Sequence, residues 1–190
     1  RCHAHPSAPR LHADAGPHAD GDLYKTENLR GLREVARRAT GGAGLHMVMG
    51  DGGFDVSGRE NIQEVMNKQL LLGQCAAAVG TLRPGGHFVT KCFDLFTPFS
   101  VGLVYLMGRY FEAVSVYKPA QSRPANSERY LVFRGMHPRG AQLFEHLCVV
   151  NDQINGLKPA WRTEGGAGGP DVLRLAPRGL IDASPLGAYV

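Results

Sequence analysis

Three charged residues stand where short apolar runs begin or end. "LHMVMG" (residues 45–50) stops at Asp51, "HFVTK" (87–91) closes on Lys91, and Glu128 comes just before "RYLVFRG" (129–135). Runs of this length suit strands buried on both faces, as in parallel sheets. In such sheets ligands bind beyond the carboxyl ends of the strands. Asp51 and Lys91 end successive strands joined by one right-handed crossover. As neighbours they start roughly 5 Å apart, the strand-to-strand spacing. The loop before Glu128 reaches the same end. A lysine among carboxylates has two readings. It is a structural ion pair, common and weak at a surface, or it is a proton-handling site. In a site, the carboxylates fix the ammonium, which orients a hydroxyl as a cation. Burial and a second nearby cation then lower its pKa until it can take the hydroxyl's proton. Residue types and spacing leave both readings open.

Other chemistries fit less well. The glycine-rich stretch after Asp51 has no Gly-Lys, which a phosphate-binding P-loop requires. Asp51, Asp55 and Glu60 miss the ligand spacing of a calcium loop, and "ADGDLY" around Asp20 and Asp22 lacks the later ligands. Neither G-x-S-x-G nor H-E-x-x-H occurs. His87 and His146 fall within element patterns and read as ordinary, partly buried histidines. "CHAH" (2–5) sits among Pro, Ala and His and reads as a disordered tail rather than a metal site. Asp55 has no assigned role.

The elements that must position these residues can be read from periodicity. Residues 27–40 carry Leu29, Leu32, Val35 and Ala36 at helical spacing, and "TGGAG" stops that helix. Ser57 with Glu60 spells a capping box. The helix after it extends to Leu82, with an apolar face that includes Ile62, Val65, Met66, Leu70, Leu72 and Val79. "RPGG" (83–86) is expected to end it and turn the chain. Pro98 opens a buried helix. Residues 112–118 and 129–135 are strands with no helix between them, so the last is expected to be antiparallel to its neighbour. Residues 138–157 form a further helix. The order points to an α/β fold with a mostly parallel sheet and one antiparallel strand. Residues 1–21 read as a tail or truncated loop, 22–157 as the domain, and 158–190 as a linker with an undefined end, "TEGGAGGP" (163–170) being flexible.

The 190 residues suit one domain, and the 43% hydrophobic share suffices for a core. No apolar run approaches the roughly 20 residues of a membrane span, and the N-terminus lacks the apolar region of a signal peptide. A net charge of +4 and a pI near 9.0 tilt the partner toward polyanions such as nucleic acid. Cys2, Cys75, Cys92 and Cys148 are scattered without C-x-x-C, which fits a reducing, intracellular setting.

The segments "MGDGGFDVSGRENIQE", "GGHFVTKCFDLFTPFSVGL" and "KPAQSRPANSERYLVFRG" resemble the RrmJ/FtsJ-type 2'-O-ribose methyltransferases, from about Asp20 to Leu157. "FDLFTPFSVGL" and "SRPANSERY" are similar to the branch acting on capped mRNA. Relatives acting on rRNA or tRNA share only the Asp, Lys and Glu landmarks. The resemblance implies a Rossmann-like S-adenosylmethionine-dependent methyltransferase sheet, methylating the ribose 2'-OH of the first transcribed nucleotide of m7G-capped RNA. It implies catalytic roles for Asp51, Lys91 and Glu128, within a tetrad whose first lysine has no match here. The family's glycine-rich cofactor loop has none either, so the chain is expected to be the C-terminal two-thirds of a catalytic domain, with an uncovered sheet edge. The resemblance further implies cofactor contacts by Asp22, Leu23 and Asp51, and RNA contacts by Asn61, Ile62, Gln63 and Asn126. Arg123 and Arg129 lie where cap phosphates favour cations. The reaction requires no metal. Nuclear residence and contact with the transcription machinery follow by implication. The alternatives are a methyltransferase of rRNA or tRNA, and a non-catalytic RNA-binding remnant.

Overall fold

Apolar periodicity and turn residues resolve into nine elements in the computed structural model, which describes residues 14–53, 58, 62–123, 125–163 and 171–184. They are α1 (Thr26–Ala39), β1 (Leu45–Gly50), α2 (Gln63–Thr81), β2 (Leu82–Cys92), α3 (Pro98–Gly108), β3 (Phe111–Tyr117), β4 (Arg129–Met136), α4 (Gly140–Thr163) and α5 (Arg178–Asp182). The sheet order is β1-β2-β4-β3. β1 and β2 are parallel, and β4 runs antiparallel to both β2 and β3. Three strands therefore share one direction and β4 alone is reversed, as the missing helix between residues 117 and 129 predicts.

Side-chain alternation decides what each face of the sheet does. Phe88, Thr90 and Cys92 of β2 and Leu131 and Phe133 of β4 are buried. Phe133 stacks on Phe88, with ring centroids 5.6 Å apart, and meets Phe111 in a tilted contact at 5.2 Å. The residues between them, Val89, Lys91, Tyr130 and Val132, point the other way and stay half-buried. Met47 and Met49 of β1 lie on this second face and are 49% and 72% exposed. The expectation that these strands are buried on both faces is thus corrected. β1 ends the described sheet, and its apolar residues do not all face a core.

α2 is the hub, touching β1, β2, α1, α3 and α4. It is apolar almost all round, with Leu71, Leu72, Cys75, Ala76 and Val79 buried. Three expectations shift. Ile62 and Val65 are 41% and 50% exposed, so neither joins the buried face. The expected capping box at Ser57 and Glu60 lies outside the described residues. α2 as described starts from Ile62 with no side-chain cap. β2 begins at Leu82, directly after α2, so "RPGG" is drawn into the strand rather than forming a turn. Gly85 takes φ +76, and the pairing with β1 shifts register between Leu45 and Met47.

Both ends of the chain hold more structure than their composition suggested. Within the expected tail, residues 14–21 form turns packed on α1, where the His18 N–H donates to Asn28 at 3.2 Å. α4 continues past residue 157 to Thr163, into the expected linker. Residues 171–184 lie against α2 and α3. The buried Lys68 ammonium pairs with Asp171 and donates to the Val172 carbonyl at 3.3 Å. It also sits 5.1 Å from the Phe99 ring centroid. Most of "TEGGAGGP" and the "CHAH" segment lie outside the described residues.

Two expectations test this packing. Phe133→Ala removes the ring shared by two aromatic contacts and should cost about 3–5 kcal/mol in urea unfolding, whereas exposed Val116→Ala should stay within about 0.5 kcal/mol. Burial pushes the Cys92 thiol up to about 12 and Cys148 to about 11, and Cys75 higher still. All three should therefore resist iodoacetamide at pH 8 in the native chain and react in guanidinium, as read by mass spectrometry.

Candidate active site

The β1–β2 register brings the first two charged residues together. Gly50 pairs with Thr90, so the next positions, Asp51 and Lys91, leave the sheet side by side. Lys91 Nζ lies 2.7 Å from Asp51 Oδ1. The lysine side chain is 17% exposed and the aspartate 76%, so the ammonium is the sheltered partner and the carboxylate the open one. The strand end needs glycine. A Cβ on Gly50 would come within 2.4 Å of Gln74 Oε1 and 2.9 Å of Thr90 Oγ1. That Gln74 oxygen accepts from the Gly52 N–H at 2.9 Å, tying the strand end to α2. Gly53 lies bare beside the lysine, and a Cβ there would come within 3.4 Å of Lys91 Cε.

Glu128 reaches this rim through Tyr130. Tyr130 is the cross-strand partner of Lys91 in the β2–β4 pairing, and its hydroxyl donates to Glu128 Oε1 at 3.2 Å. The Tyr130 phenol is held above its usual pKa, first by desolvation and then by the negative charges of Glu128 and Asp51, with Lys91 opposing. It therefore stays a neutral donor between the two acids. The loop that delivers Glu128 is organised from inside by Lys118, whose ammonium donates to the Asn126 carbonyl at 2.8 Å, the Glu128 carbonyl at 3.0 Å and Ser122 Oγ at 3.2 Å. It also donates to the Asn126 side-chain oxygen, which accepts from Ser122 as well. One side of Asn126 is thus engaged in holding its own loop.

The start of α2 meets the same loop. Ser127 Oγ donates to Gln63 Oε1 at 3.0 Å, which ties the start of α2 to the loop that carries Asn126, and Ile62 beside Gln63 is exposed. Asn61 lies outside the described residues. Glu64 accepts from the N–H groups of Phe96 and Thr97 at 3.0 and 2.9 Å, fixing the loop after β2. Arg129 donates to Asp94 at 2.7 Å and to the Ser127 carbonyl at 2.8 Å, so it clamps two loops. Arg123 is exposed on the Glu128 loop. Asp22 caps its own turn by accepting from the Tyr24 N–H at 2.8 Å, and Leu23 packs on Gly73 of α2. Gly73 and Gln74 are consecutive, so the Asp22–Leu23 turn and the Asp51 strand end are anchored on the same turn of α2. Among the described residues no group of three or more His, Cys, Asp and Glu is arranged to hold a metal ion.

Sequence reading missed Tyr130, Lys118, Gln74 and Glu64. Tyr130 carried a signal, since alternation puts it on the Glu128 side of β4. The other three act through contacts distant in sequence or within an irregular loop.

Residues 4–136 match the FtsJ-like methyltransferase profile, and the chain belongs to that family. It is 45% identical over 170 residues to the cap-specific mRNA (nucleoside-2'-O-)-methyltransferase 1 of Danio rerio, covering 90% of this chain and 20% of that protein. The same-named protein of Homo sapiens is 47% identical over 147 residues, covering 77% and 18%. That of Caenorhabditis elegans is 41% identical over 172 residues, covering 90% and 18%. The chain thus spans about a fifth of the length of these relatives.

Lys118→Met tests how the Glu128 loop is held. Loss of a charged donor to several acceptors should speed amide hydrogen exchange across residues 119–128 by about tenfold or more. Exchange in β2 should stay unchanged.

Proposed function

We propose that the chain carries the catalytic strand ends of a cap-type mRNA 2'-O-ribose methyltransferase using S-adenosylmethionine. The observation that carries this reading is the sheltered Lys91 ammonium held 2.7 Å from Asp51 at a strand end. The names of the relatives at 41–47% identity support the substrate. S-adenosylmethionine, when bound, supplies a methyl group on a positively charged sulfur. The residues present fit such a group. The bare backbone of Gly53 leaves room for close approach beside Asp51, and one oxygen of the Asp22 carboxylate remains beyond its turn bond to take a hydroxyl. Asp22, Leu23 and Asp51 are the residues that would hold it.

The protein's task is then to orient the ribose 2'-hydroxyl and receive its proton. As an ammonium, Lys91 orients the hydroxyl oxygen by donating to it. Once it has released a proton to solvent, the neutral amine accepts the hydroxyl proton at Nζ. Asp51 keeps Nζ in place, and Glu128, through Tyr130, adds negative charge at the same rim. Gln63, Ile62 and Asn126, where the start of α2 meets the Glu128 loop, are assigned to the RNA, with Arg123 near its phosphates. Nuclear residence and contact with the transcription machinery belong to the same proposal and rest on likeness alone.

Methyl transfer by the full-length protein tests it. Labelling of m7G-capped RNA should exceed that of uncapped RNA at least tenfold. Lys91→Ala should lower kcat by about 100-fold or more, the range of a lost general base. Equal labelling of capped and uncapped RNA, or preference for tRNA or rRNA, contradicts the cap assignment. Full activity of Lys91→Ala contradicts the mechanism.

A further inference from the structure

Phe96 is 81% exposed, five residues after Lys91. Single exposed apolar residues are ordinary, but this one is presented by a fixed loop. Its own N–H and that of Thr97 donate to Glu64, and Thr97 Oγ accepts from the Ser100 N–H at 3.2 Å, capping α3. The ring borders a groove of about 230 Å³ whose other wall is the C-terminal segment, with Arg174 and Arg178 on its rim and Val101 and Ile181 in its floor. Lys68–Asp171 pins that segment, as does its packing on α3, where a Cβ on Gly102 would come within 3.2 Å of Ala176 N and 3.3 Å of Leu175. Arg178 pairs with Asp182 at 3.5 Å, while Arg174 has no ion pair among the described residues. With Asp182 also in its lining, the groove combines one bare aromatic face with a net positive rim, on the segment that follows the strand bearing Lys91.

We propose that this groove is a single-stranded RNA subsite, in which a base stacks on Phe96 and the adjoining phosphate is held by Arg174 and Arg178. Stacking on an aromatic ring next to guanidinium cations is how proteins grip unpaired nucleotides without reading sequence, and each stacked base is worth about 1–3 kcal/mol. The proposal rests on RNA being the substrate. An acidic peptide would use the arginines without needing the ring.

The test uses the full-length protein and fluorescein-labelled m7G-capped RNAs, from the cap dinucleotide to ten nucleotides. Anisotropy is read across a salt series, with steady-state kinetics alongside. Phe96→Ala should raise Kd and KM about tenfold with kcat within twofold, and Phe96→Tyr should restore both. The double variant Arg174→Gln, Arg178→Gln should weaken binding and flatten the salt slope by about 0.7 to 1.4, the single-strand value for one or two phosphates. An effect already present with the cap dinucleotide identifies the nucleotide on the cap side. An effect that appears only as the RNA lengthens identifies one on the transcript side. Unchanged Kd, KM and salt slope in these variants, with wild-type protein that methylates capped RNA, overturns the subsite and leaves the activity standing. Loss of RNA binding in the arginine variant with none in Phe96→Ala also overturns it, since an acidic ligand site would respond that way. Wild-type protein that binds capped RNA without methylating it contradicts the activity, and the subsite is then scored on Kd alone.

Discussion

The structure depends on one register. Parallel pairing of β1 with β2 sets Gly50 opposite Thr90 and so delivers Asp51 and Lys91 to the same point beyond the sheet. Slipping a strand by one residue would turn every side chain to the other face. Lys91 would then enter the buried layer of Phe88 and Thr90, where an unpaired ammonium is costly. Gln74 holds the register from α2, and the crowding at Gly50 admits no larger residue without displacing that glutamine. The geometry of the Asp51–Lys91 pair and the packing of the core are therefore one constraint.

Around that pair, each loop is tied by a charge. Lys118 gathers the carbonyls of the Glu128 loop, Arg129 joins that loop to Asp94, and Glu64 fixes the loop after β2. These contacts are partly exposed, and each is modest alone. Together they hold three loops at one end of the sheet without a covalent link or a metal-ligand cluster among the described residues. Lys68 extends the scheme to the chain's end by drawing residues 171–184 against α3.

Fold class, the reversed β4, and the meeting of Asp51 with Lys91 were legible because they follow from local periodicity and one topological rule. The strand ends were marked by an abrupt change from apolar to charged residues. What failed failed for physical reasons. β1 was read as buried on both faces, but an apolar run does not show which face a neighbour covers, and Met47 and Met49 remain exposed. "RPGG" read as a turn, yet β2 absorbed it through a left-handed Gly85 and a register shift. α4 outran its expected end, and the C-terminal segment is held by a buried lysine over 100 positions away and by packing on α3, which no local pattern reveals. Tyr130 is marked by alternation alone, and its role comes from a hydrogen bond to Glu128 and a cross-strand pairing with Lys91 that appear only once the β2–β4 register is formed.

Asp51 acts on the proposed reaction by holding Lys91, and a double-mutant cycle in single-turnover methyl transfer at saturating S-adenosylmethionine, with Asp51→Asn, Lys91→Met and the pair, separates this from its contact with the cofactor. If Asp51 works through Lys91, the double variant is no slower than Lys91→Met alone, and removing the aspartate costs rate only while the lysine is present. Fully additive losses would show that the two residues act independently and would contradict the account.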